Sequence, residues 1–231
     1  MKTLDTARFA SPIGEIIVFA DGNELVALEF VDRAGRVSNV RAQLERSLGN
    51  IQQRETSDPA GAVTRLARYF AGDRNALDGQ RVHPHGTEFQ RRVWRALCEI
   101  PAGETRGYGE LAAAIEHPRA SRAVGAANGS NPVSLFVPCH RVIAADGTLH
   151  GYGGGLDRKH WLLTHERATF RAQRDELLLG AHRIWSANKS SASVPGAQGE
   201  RTASMAGAWR ERRRGYPVYR RTVRRSTTGA G

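Results

Sequence analysis

The chain has 231 residues and a formal net charge of +11, with 34 Lys and Arg against 23 Asp and Glu. No apolar run approaches the ~18–20 residues of a membrane span, and the opening MKTLDTARFASPIG lacks the apolar core of a secretion signal. Two cysteines in a chain of this length make no disulfide framework, which points to a reducing cytoplasm.

The charge is unevenly placed. Residues 1–166 hold 20 basic side chains against 19 acidic ones, whereas residues 167–231 hold 14 against 4. The high isoelectric point therefore belongs to the tail and says little about the folded part.

In chain order, GEIIVFADGNELVALEFVD (14–32) reads as two strands joined at Asp21-Gly22-Asn23, a hairpin signal. A polar stretch, 33–59, carries no assigned element. AGAVTRLARYFAGD (60–73) repeats Val63, Leu66, Tyr69 and Phe70 at helical spacing. LDGQRVHPHG (77–86) reads as a linker, closing an α/β domain over 1–82.

TEFQRRVWRALCEI (87–100) puts Phe89, Val93, Trp94 and Leu97 on one helical face, with Cys98 read as core. ETRGYGELAAAIEH (104–117) predicts a second helix and RASRAVGAANGS (119–130) a third, short and rich in small residues. A helix pair of this kind fits a helix-turn-helix, although many helical hairpins share the pattern and bind no DNA. DGTLHGYGGGLDRK (146–159) is a turn and a glycine-rich loop, and KHWLLTHE (159–166) a closing helix. These elements form a second domain over 86–170. Beyond it, 171–231 is dominated by Ser, Ala, Gly and Arg without periodicity and reads as a disordered basic tail.

VPCHRVI (137–143) carries the chemistry. A free thiol has a pKa of about 8.5 and needs a neighbour that favours the thiolate. His140 is such a neighbour. Adjacent side chains do not face each other in regular structure, so the proton path from Cys139 to His140 is expected to run through a water. An imidazole base also wants a carboxylate to fix its tautomer. Asp146, Asp157 and Glu166 are candidates, and Glu166, closing a helix able to fold back, is the favoured one. Cys98, Cys139, His83, His85 and His140 show no zinc-type spacing, so no metal and no cofactor is expected. On residues alone, three readings stay open: a buried Cys beside a surface His, a cysteine hydrolase, and a DNA-binding module with or without chemistry.

Taken together, GTEFQRRVWRALCEIPAGETRGYGELA, RASRAVGAANGSNP, VPCHRVI and GYGGGLDRKHWLLTHE resemble the methylated-DNA–protein-cysteine methyltransferases, the O6-alkylguanine-DNA alkyltransferases, across roughly residues 86–166. The resemblance implies an α/β (α+β) chain: a small ribonuclease H-like N-terminal domain, then a mainly helical, winged-helix-like helix-turn-helix domain. It implies a monomer that binds double-stranded DNA through the minor groove, flips out O6-alkylguanine, and also O4-alkylthymine, and keeps the alkyl group on Cys139 irreversibly.

By position, Cys139 matches the acceptor, His140 and Glu166 a water-linked relay, and Asn131 a hinge asparagine. Arg122 matches the finger that fills the vacated stack. Tyr108 matches the tyrosine that helps rotate the nucleotide, and Gly109 and His117 match backbone contacts. Ala123 and Gly125 would let the third helix lie close in the groove. Val142, Tyr152, Gly153 and Gly154 would line the base. Gly107, His150 and Gly153 depart from the residues common in the family, which bears on substrate range. The zinc-bound module of the adaptive-response transcription factors has no counterpart here.

Overall fold

The computed structural model describes residues 1–170. The predicted basic tail lies outside the described residues.

Four strands form one sheet: β1 (Lys2–Ser11), β2 (Gly14–Asp21), β3 (Glu24–Phe30) and β4 (Ile51–Glu55), in the order β3-β2-β1-β4. The first three are antiparallel neighbours, while β4 runs parallel to β1. The hairpin predicted at Asp21-Gly22-Asn23 is present. Asp21 pairs with Glu24, and Gly22 takes φ 57°, which glycine adopts without Cβ strain.

Both faces of this sheet are covered. Leu4, Ile17, Phe19, Val26 and Ala27 pack against Val40 and Leu44 of α1 (Ala34–Leu48). A register shift between Phe19 and Ala20 lets the successive residues Val26 and Ala27 share that face. Ile16, Val18, Leu25, Leu28 and Phe30 face the other way. They pack with Leu66 and Tyr69 of α2 (Ala62–Phe70) and with Val93, Trp94 and Leu97 of α3 (Glu88–Cys98).

Sequence and structure part company over 33–59. That polar stretch contains α1 and β4. Val37, Val40, Leu44 and Leu48 make a stripe one residue wide, diluted by Arg, Gln and Glu on the solvent side. Strand β1 also went unassigned. The stretch 77–86 is no free linker either, because Leu77 is buried and Val82 bridges to Leu25.

The second half is helical. Thr87 and Gln90 close a reciprocal capping box on α3. The predicted helix over 104–117 is shorter: β5 (Arg106–Gly107) precedes α4 (Tyr108–Ala114), with the Gly107 N–H donating to Glu110 at 2.6 Å. Next comes α5 (Ser121–Gly129), and β6 (Val142–Ile143) pairs parallel with β5. The closing helix α6 spans Leu156–His165, starting earlier than predicted. One buried cluster runs from the sheet through α3, α4 and α5 to Cys139 and Leu162, so the two halves share a core. Cys98, read as core, is exposed. It ends α3, where the chain turns away before Ile100 re-enters the interior.

Candidate active site

Every residue from Asn131 to Ile143 is buried. A tight turn at Leu135–Phe136, where Leu135 takes φ 72° and the Val137 N–H donates to the Val133 carbonyl at 2.9 Å, leads to Pro138; one 3-10 turn carries Cys139, His140 and Arg141, and β6 follows. The entry is clamped by Asn131: its side-chain NH2 donates to the Val137 carbonyl at 2.8 Å and its oxygen accepts from Val133 N–H at 3.0 Å. Asn128 donates to the Cys139 carbonyl at 3.3 Å. The nucleophile's backbone is thus held on both sides by amides, one inside α5 and one just beyond it.

Cys139 is 4 % exposed, and burial pushes its thiol pKa up. Hydrogen bonding with Asn131, the charge of Lys159, hydrogen bonding with Ser134, and the charge of Arg36 oppose that rise, in decreasing order. His140 Nε2 and Glu166 Oε1 lie 3.0 Å apart, both side chains wholly buried. The carboxylate accepts there, which assigns the proton to Nε2 and leaves Nδ1 as the basic nitrogen. Nδ1 is buried and has no protein partner among the described residues. Burial lowers the His140 pKa, with Glu166 acting against that shift.

Glu166 is the predicted carboxylate brought to His140; Asp146 instead caps its own turn through Thr148. Nothing in the residue pattern signals the company Glu166 keeps. Arg141 donates to both its oxygens at 2.9 Å, and the Tyr69 hydroxyl, from α2, donates to Oε1 at 2.9 Å. Burial alone would raise the Glu166 pKa, but His140 and Arg141 outweigh it and hold the carboxyl well below its usual range. A second unforeseen residue is Lys159, fully buried on α6. Its ammonium donates to the carbonyls of Val142 and His150 at 2.6 Å each and of Gly151 at 3.5 Å. Its desolvation lowers its pKa to about 8.

The predicted base-lining residues surround this centre. Val142 is buried, and its carbonyl already accepts from Lys159, leaving one lone pair for a ligand. Tyr152 sets its ring 6.4 Å from that of His140, and its buried hydroxyl has no partner among the described residues. Gly154 is buried under Tyr152 and Phe30, with a carbonyl that accepts from Arg158 at 2.9 Å. Gly153 lies beneath Arg36.

The residues matched to DNA contact sit mostly outside. Arg122, Ala123, Gly109 and His117 are exposed, and Arg122 has no carboxylate within 4.0 Å among the described residues. Gly125 is half-buried against the Tyr108 ring, where a β-carbon would stand 3.8 Å away. Tyr108 reaches from α4 toward the glycine-rich loop, its hydroxyl 3.5 Å from the His150 carbonyl. His117 packs on Phe89 at 5.9 Å. Among the described residues, no three His, Cys, Asp or Glu converge as a metal site would need, and no helix is long and apolar enough to cross a membrane.

Comparison with known proteins agrees with this geometry. Residues 88–168 match the family model of the 6-O-methylguanine DNA methyltransferase DNA-binding domain, and 6–83 that of its ribonuclease-like domain. The chain is 44% identical over 170 residues to a methylated-DNA–protein-cysteine methyltransferase of Salmonella typhimurium, covering 72% of this chain and 97% of that protein. It is 45% identical over 161 residues to the Mycobacterium tuberculosis protein of the same name, covering 68% and 89%. A crystal structure of Mycobacterium tuberculosis OGT in complex with DNA is similar at 42% identity and a TM-score of 0.57, covering 71% of this chain and 92% of that one. With both domain models matched in order, and relatives covered almost end to end, this chain belongs to the O6-methylguanine DNA methyltransferase family.

Proposed function

We infer that this protein repairs O6-alkylguanine in DNA by moving the alkyl group onto its own Cys139, once per molecule. The observation that carries the reading is the buried His140–Glu166 pair set beside a buried thiol, with the basic Nδ1 left open.

The chemistry follows from the contacts. The thiol is nearly inaccessible, and a stacked guanine cannot bring its O6 there, so the nucleotide must leave the duplex. As the sulfur attacks the alkyl carbon, the S–C bond forms and the C–O6 bond breaks with its electron pair left on the purine. The thiol proton passes toward Nδ1 of His140, and Glu166 steadies the imidazolium that forms. A proton returns to the purine, so the net products are guanine and an S-alkyl cysteine. Thioethers are poor leaving groups, and every donor near Glu166 is committed to that carboxylate or to backbone. Nothing regenerates the thiol.

Three buried polar atoms near Cys139 lack partners among the described residues: His140 Nδ1, the Tyr152 hydroxyl and Asn128 Oδ1. Buried groups of this kind are normally satisfied, and a base with a polar edge is a fitting partner. On this reading α5 enters the minor groove, with exposed Arg122 filling the stack and Tyr108 and Gly125 at the pocket mouth. The acceptor domain spans 86–170 and the supporting domain 1–82. The protein acts as a monomer in the cytoplasm, and the same pocket takes O4-alkylthymine.

The direct test is incubation with duplex DNA carrying O6-methylguanine, followed by intact-protein and peptide mass analysis. One methyl group per chain, on the peptide holding Cys139, is the expected result. Many turnovers per chain would mean a hydrolase, and none would mean a lesion sensor.

Alkylation should also loosen the fold. A methyl group added to a buried sulfur held against Asn131 and Ser134 overfills its surroundings, which typically costs about 1–3 kcal/mol. For a domain of this size the melting temperature should fall by about 2–4 °C per kcal/mol. Superimposable melts before and after stoichiometric methylation would contradict this.

A further inference from the structure

The Arg36 guanidinium is the feature of the pocket that the relay leaves unused. Arg36 lies in the first turn of α1, in the N-terminal sheet domain, far in sequence from Cys139. Its Nε and Nη2 donate to the two carboxylate oxygens of Glu29 at 2.9 Å each. Glu29 is 1 % exposed, so this is a buried anion that fixes the guanidinium plane. The third nitrogen, Nη1, makes no hydrogen bond to protein among the described residues, and it points at the glycine-rich loop. A β-carbon on Gly153 would stand 2.6 Å from Nη1 and 2.7 Å from Nη2. The guanidinium therefore fills the space that a side chain at 153 would take. From there its charge acts on both Cys139 and Tyr152.

We propose that Arg36 is a catalytic residue of the pocket, a cation supplied by the N-terminal domain. Its free Nη1 stabilises negative charge on the Cys139 sulfur and on the purine oxygen as it leaves. This rests on the transfer reaction inferred above. During transfer the electron pair of the breaking C–O bond collects on O6, and a fixed donor aimed at that position stabilises the transition state more than the ground state. Glu29 holds the donor in place, so little reorganisation is needed.

The other groups facing Cys139 are Asn131 and Ser134 from its own segment, His140 beside it, Tyr108 from α4, Tyr152 from the loop, and Lys159 from α6. Lys159 spends its three hydrogens on carbonyls, so it acts on the sulfur through its field alone. Among the described residues, Arg36 is the cation here with a donor to spare.

The test uses the full chain with Cys98→Ser, so that Cys139 is the sole thiol. Transfer from free O6-benzylguanine is measured across pH, together with the ultraviolet titration of the thiolate. Arg36→Gln is expected to slow transfer by about tenfold or more at neutral pH. It should also move the thiolate titration upward, because a nearby cation favours the charged sulfur. Arg36→Lys should restore most of the titration while recovering less of the rate, since it keeps the charge and loses the rigid fork. Arg36→Gln strands the buried Glu29, so Glu29→Gln/Arg36→Gln serves as a second variant that removes the whole pair. It should melt close to the parent and show the same slow transfer and shifted titration. A parent-like rate and titration in the double variant would overturn the proposal. So would a slow rate with an unmoved titration, because Arg36 would then be a strut for the loop. If the parent protein itself transfers no benzyl group, the reaction assignment fails instead.

Discussion

Replacing Cys139 by serine is expected to abolish alkyl transfer while duplex binding stays near the wild-type level. A hydroxyl is far less acidic and less nucleophilic than a thiol, and the relay has no means of making an alkoxide. The exchange removes no hydrogen-bonding group from the exposed face of α5, so docking is untouched. Burial already pushes the Cys139 thiol up, and a hydroxyl at the same place starts from a far higher value still. Stoichiometric transfer from O6-methylguanine DNA, read by mass, checks this. Methyl groups on Cys98 in the mutant would sink the assignment, since Cys98 is exposed and would then be the true acceptor.

Arg122→Ala should slow repair in duplex DNA far more than transfer from free O6-benzylguanine. Extruding a nucleotide costs a few kcal/mol, and a side chain that fills the gap offsets part of that cost. Each ~1.4 kcal/mol lost is about tenfold in rate. The free base needs no extrusion, and Arg122 is exposed on α5, away from the buried relay. Single-turnover rates on both substrates decide the matter. Equal losses on the two would make Arg122 part of the pocket or of the fold.

Some of this was legible in the sequence for identifiable reasons. Leu66, Tyr69 and Phe70 repeat at helical spacing because α2 buries one face, and Gly22 marks a turn that needs a positive φ. Cys139 and His140 are reactive types side by side, and Glu166 was favoured over Asp146 and Asp157 because it closes a helix able to fold back; the residues left the reaction open, and the family resemblance supplied it. The rest is pairwise and remote. Periodicity announces that Tyr69 is buried and is silent on its hydroxyl meeting Glu166, 97 residues away. Arg141 and Lys159 look like surface charges until the fold gives them a carboxylate and three carbonyls. Cys98 failed in the opposite sense: its helical phase matches Trp94, but the helix ends there and solvent begins. Helix α1 was missed because its apolar stripe is narrow. A local pattern reports which face is inside, and the partner waiting there is a property of topology.

The relay is assembled from three places along the chain: Tyr69, the Cys139–Arg141 turn, and Glu166 at the end of the last described helix. During synthesis the nucleophile is made before the carboxylate that activates it and before Lys159. A nascent chain paused anywhere before residue 166 therefore carries an unprimed thiol. Until then the sulfur is an ordinary, accessible cysteine. Folding hides it and sets the relay beside it together, so access for stray electrophiles falls as the means to take an alkyl group from a delivered base arrives.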